Sequence, residues 1–101
     1  MIARMWRGRV PAALLDEYRE YVVRACLPDY LATPGNRGAH ILTRALETHG
    51  EIITLSFWED ERSIAAFAGD DITLARYYPE DKHYLLDFPK HVEHFDATSA
   101  P

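Results

Sequence analysis

Along MIARMWRGRV the side chains alternate. Ile2, Arg4 and Trp6 fall on one side, and Ala3, Met5 and Arg7 on the other. A period of two predicts a strand. Pro11 should end it, because proline has no N–H to give to a ladder. Beyond Pro11 the period lengthens. Leu14, Tyr18, Tyr21, Val22 and Ala25 recur at the spacing of one helical face, with Asp16, Glu17, Arg19, Glu20 and Arg24 on the wet sides. Pro11 suits the first helical position, and Pro28 predicts where the helix stops.

PDYLATPGNRG reads as a loop with a turn at Pro34-Gly35-Asn36. AHILTRAL is a second strand, ETHGE a hairpin connection, and IITLSFW a third strand rich in β-branched and aromatic residues. Asp60 caps a short helix through Ala68, with Ile64 and Phe67 inward and Gly69 as its terminator. Asp70 or Asp71 is expected to cap a further helical segment ending at Pro79. EDKHYLL adds a turn or two, and HVEHF is the last strand. The order β-α-β-β-α-β is that of an α+β, ferredoxin-like fold, a four-stranded antiparallel sheet with its helices on one face. Residues 1–96 form one domain and residues 97–101 a frayed tail.

On the third strand Ile53, Leu55 and Phe57 oppose Ile52, Thr54, Ser56 and Trp58, so both faces of the sheet need cover. A chain of 101 residues buries a modest share of its surface. A homodimer packed sheet to sheet answers both needs.

Charge narrows the partners. The net charge is −5 with 11 basic residues that form no stripe, which argues against nucleic acid. No apolar run approaches a membrane span and no signal-peptide core opens the chain, so no membrane partner is expected. The single cysteine, Cys26, excludes an intrachain disulfide and fits a reducing, cytoplasmic setting. It is expected as a small buried hydrophobe.

The chemistry-bearing residues gather in YYPEDKH. His83 is the candidate acid or base, since an unperturbed imidazole titrates near neutrality. On a helical turn Glu80 would lie beside it at i, i+3, with Asp81 next in line. An exposed histidine on a polar turn, with both acids serving the helix N-terminus, reads the same residues equally well. Tyr77 and Tyr78 cannot both face inward from a regular helix. Tyr78, before Pro79, is pushed out of the helical region. His40 and Asn36 are further polar candidates, and each is equally readable as an exposed residue. His83, His91 and His94 match no zinc spacing, and no glycine-rich nucleotide loop is present. No metal, NAD or FAD is therefore expected.

MIARMWRGRVPA, TPGNRGAHIL and ITLSFWEDERSIAAFAGDD together resemble the antibiotic biosynthesis monooxygenase family over residues 1–96. The resemblance implies a dimeric α+β barrel with a ligand cleft between the helices and the sheet of each subunit. It also implies a cofactor-independent monooxygenase that deprotonates a small aromatic or polycyclic quinol-type molecule and lets the anion react with O2. His83 would be its base, helped by Glu80 or Asp81. Tyr78 and Asn36 would donate to the oxyanion, and Trp6, Trp58 and Phe67 would form the aromatic walls. Trp58 matches the tryptophan that such enzymes carry at the end of strand three. An asparagine common near Trp6 in that family is missing. The haem-degrading branch carries an iron-binding histidine at about the position of Tyr77, so haem degradation is a minor alternative. A cofactor-free isomerase, cyclase or lyase, and a binding module without catalysis, remain open beside the oxygenase.

Overall fold

The computed structural model describes residues 1–100; Pro101, the end of the expected tail, lies outside them. The chain is α+β. Strand β1 is Ile2–Val10. After Pro11 come a 3-10 turn at Ala12–Leu14, helix α1 at Leu15–Tyr21, a π-helical turn at Val22–Cys26 and helix α2 at Leu27–Ala32. β2 is Asn36–Ala45, β3 is Gly50–Trp58 and α3 is Glu61–Ala68. A 3-10 turn at Pro79–His83 precedes β4, Glu93–Asp96. The four strands form one antiparallel sheet in the order β2-β3-β1-β4. The arrangement is compatible with the ferredoxin-like motif.

Register decides which side chains meet. Arg4 pairs across β1 with Ser56 of β3 and with His94 of β4, and Trp6 pairs with Thr54. Residues directly opposite share a face, so Arg4, Trp6, Val10, Ile52, Thr54 and Trp58 all turn toward the helices, where they are buried. Met5, Ile53, Leu55 and Phe57 look the other way. Leu42, opposite Ile53, and Phe95, opposite Ala3, lie on that outer face with 44% and 48% of their surfaces exposed.

Three expectations change. The first helical run does not stop at Pro28 but continues through Ala32. The π turn makes this workable: the Leu27 N–H reaches back to the Val22 carbonyl, five residues away. Pro28 then enters in the first turn of α2, where a missing N–H leaves no bond unmade. The 3-10 start and the wide turn also rotate the apolar stripe, so Leu15 and Cys26 are buried in place of Leu14 and Ala25.

Strand two begins three residues earlier than its alternation suggests, because a bulge between Asn36 and Ala39 breaks the period. Before it, Gly35 has φ +93°, and a Cβ there would meet Ser63 Cβ at 2.4 Å. A bare residue lets this turn lie against the start of α3, where Asp60 accepts from the Ser63 N–H at 2.9 Å as the expected cap.

The third change is the segment 70–78, which is irregular rather than helical. Its backbone groups have distant partners. The carbonyls of Ile72 and Leu74 accept from Arg4. Ala75 N–H donates to Lys90, and Val92 N–H donates to Thr73. Asp71 accepts from the Thr73 N–H and hydroxyl, an Asx-type turn in place of a helix cap.

The core divides in two. One cluster contains Trp6, Val10, Tyr18, Tyr21, Val22, Cys26 and Ile52; the other is Tyr30, Trp58, Ile64 and Phe67.

Candidate functional site

Between the two clusters lies a narrow cavity, partly open to solvent. Arg4, Trp6 and Thr54 rise from the sheet. Tyr18, Val22, Cys26 and Tyr30 come from the helical run, and Phe67 from α3. Arg76, Tyr77, Tyr78 and Asp81 close the far side.

Each wall residue is held by its neighbours. Trp6 lies flat over Gly8, donates from Nε1 to the Tyr77 hydroxyl at 3.2 Å and meets that ring edge-on. Tyr77 donates its own proton to the Pro89 carbonyl. Tyr78 is extended, as a residue before proline must be, and its hydroxyl donates to Asp29 at 2.9 Å. Arg76 stacks over the Phe67 and Tyr78 rings and pairs with Asp29 at 3.2 Å. Tyr30 donates to Thr54 Oγ1 at 3.3 Å.

Asp81 is the one carboxylate among the described lining residues, with only 3% of its surface exposed. Oδ1 accepts from the Tyr18 hydroxyl at 2.8 Å and Oδ2 from the Tyr78 N–H at 2.7 Å. Burial, and after it the charge of Asp81, push the Tyr18 phenol far above its ordinary pKa, so it stays a donor. Burial first and the bond to Asp29 next do the same to Tyr78. The Cys26 thiol is pushed up to about 12, by burial and then by Asp81, so it is an inert lining group.

Arg4 is buried to the same extent as Asp81. Its guanidinium donates to the carbonyls of Ile72 at 2.5 Å and Leu74 at 2.9 Å, and lies 3.1 Å from His94 Nε2. Burial lowers the arginine pKa, yet arginine stays charged in proteins. Burial and the Arg4 charge both lower that of His94, which keeps the imidazole neutral and able to accept.

The expected site residues therefore divide. Trp6, Phe67, Tyr77, Tyr78 and Asp81 line one cavity. Both Tyr77 and Tyr78 reach it, because the segment is not helical. His83 and Glu80 are exposed on the 3-10 turn outside the cavity, with Asp81 alone of the trio turned inward. Trp58 is fully buried behind Phe67, with Nε1 donating to Ser56 at 2.9 Å. His40 is on the outer face of the sheet, edge-on to Phe57. Asn36 is part of the bulge, its Oδ1 accepting from Gly38 and its Nδ2 buried without a partner among the described residues.

Arg4, Tyr18, Tyr30 and Arg76 were not expected in the site. The signal for Arg4 lay in the alternation itself, which puts an arginine on the same strand face as Trp6. Among the described residues, no group of three or more His, Cys, Asp or Glu side chains is placed to hold a metal ion. No helix among them is long and apolar enough to cross a membrane. Compared with family models and with curated proteins, the sequence matches none significantly, so the resemblance to the antibiotic biosynthesis monooxygenases rests on the quoted residues alone.

Proposed function

We propose that the protein is a cofactor-independent, monooxygenase-like enzyme acting on a small aromatic or polycyclic molecule in this cavity. The observation that supports the reading most is a buried carboxylate, Asp81, set among aromatic walls and held by two hydrogen bonds. In this reading Asp81 takes the role first expected of His83, because it faces the cavity and His83 faces solvent.

The chemistry balances without an external reductant. Asp81 removes a proton from a phenol or from a methylene flanked by carbonyl or aryl groups. For a methylene, the resulting anion passes electrons to dioxygen. One oxygen atom becomes the new carbonyl, and the other leaves as water with the two hydrogens of the methylene. The aromatic walls orient the flat substrate and exclude bulk water from the anion.

The same reading includes a homodimer. The outer sheet face presents Ile53, Leu55, Phe57, Leu42 and Phe95, and a second copy packed face to face would cover them. This would make the dimeric barrel of the resembling family.

Oxygen uptake with a panel of hydroquinones and anthrones tests the proposal. Stoichiometric O2 consumption that Asp81→Asn abolishes supports it. Turnover without oxygen uptake would move the reading to isomerisation, cyclisation or elimination. Binding without turnover would leave a ligand-binding module.

A further inference from the structure

We propose that the cavity takes its ligand as a planar organic anion, an aromatic carboxylate whose acidic group docks on the Arg4 guanidinium. The proposal rests on the reading of this cavity as a small-molecule site.

Charge makes the argument. Arg4 is 3% exposed, and no carboxylate of the described residues pairs with it within 4.0 Å. Its protein partners are two carbonyls and a neutral histidine. A buried cation without a counter-charge is costly, and here it faces an opening rather than packed core. The other arginine in the wall, Arg76, already has Asp29. The cavity carboxylate, Asp81, is held by Tyr18 and Tyr78 rather than by a cation.

Hydrogen-bond capacity agrees. Tyr18, Tyr30, Tyr77 and Tyr78 commit their hydroxyl protons to Asp81, Thr54, Pro89 and Asp29. None of the four is left to donate to a ligand. A guanidinium has five N–H donors, and three of those of Arg4 meet Ile72, Leu74 and His94. Nε–H and one Nη2 hydrogen remain without a partner among the described residues, and a planar carboxylate can accept from such a pair. The Trp6, Tyr30 and Phe67 rings line the same cavity as the guanidinium and are the apolar surfaces that the ring of an aromatic acid would meet.

Equilibrium binding tests this without turnover. Calorimetric titration of the full chain near neutral pH with 2-naphthoate and with 2-naphthylmethanol should show the anion binding about tenfold tighter or more. Arg4→Met should abolish the preference, and Arg4→Lys should keep part of it. In nitrogen-15-labelled wild type, the Arg4 Nε–H resonance should move with 2-naphthoate and stay with the alcohol. This last readout stands even where a variant fails to fold. Equal affinities, no binding of 2-naphthoate, an unmoved Arg4 resonance, or a preference surviving in folded Arg4→Met would each overturn the proposal. Failure to consume oxygen would sink the oxygenase reading and leave these readouts untouched.

Discussion

The indole of Trp6 lies across Gly8 so closely that a Cβ atom on residue 8 would come 2.3 Å from ring atom Cη2. Residue 8 therefore sets where one aromatic wall of the cavity lies. Gly8→Ala should force the ring away and break its bond to Tyr77. Overpacking of this kind costs about 1–3 kcal/mol. Urea unfolding should show that loss in the wild-type background and little of it beside Trp6→Leu, where the ring is gone. Equal costs in both backgrounds would mean that the contact is not the cause.

Asp81 and His83 stand two residues apart and have opposite environments. Asp81→Asn should lower turnover on the true substrate by about 10²–10⁴-fold, the usual worth of a positioned base. It should also cost about 1–3 kcal/mol, because an amide cannot accept from both Tyr18 and the Tyr78 N–H. His83→Ala should leave turnover unchanged and stability within about 0.5 kcal/mol, as exposed substitutions do. The reverse pattern of rates would return the base to His83.

A charge on the outer sheet face should separate the subunits of the proposed dimer. Ile53 lies between Arg7 and Leu42 in register on that face. Light scattering at micromolar concentration should give twice the chain mass for wild type and the single-chain mass for Ile53→Glu, with unchanged secondary structure by circular dichroism. A monomeric wild type would remove the barrel.

Stability should fall on the alkaline side. The Cys26 thiol is raised from 9.0 to about 12 and the Tyr21 phenol from 10.0 to about 12, both chiefly by burial. Tyr18 and Tyr78 shift in the same direction. Each group loses its proton in the unfolded chain first, so the unfolded state binds fewer protons as pH rises through the unfolded values. Their stabilisation is complete below about pH 9 and declines between there and pH 12. Melting temperature should be level from neutrality to the upper eights and then drop, less steeply in Cys26→Ala. A level curve through pH 11 would contradict the burial of these groups.

The strands, their faces and the β-α-β-β-α-β order were legible in the sequence because alternation and helical spacing are local signals. So was the burial of Cys26, and so was the shared face of Arg4 and Trp6 on β1, whereas the docking of the helices decided that this face is the inner one. What the sequence could not show depended on partners far along the chain. Segment 70–78 looks helical by itself, but Arg4 and residues 90–92 take its backbone groups. Pro28 looks like a stop, but a π turn two residues before it lets the helix run on. YYPEDKH sets Glu80, Asp81, Lys82 and His83 in a row, and sequence chemistry favoured the histidine. Only the packing of the 3-10 turn against α1 decided that Asp81 meets Tyr18 inside while Glu80 and His83 stay in water. Periodicity tells which residues share a face of their own element. Which buried groups face each other across a cavity is set by how the elements dock.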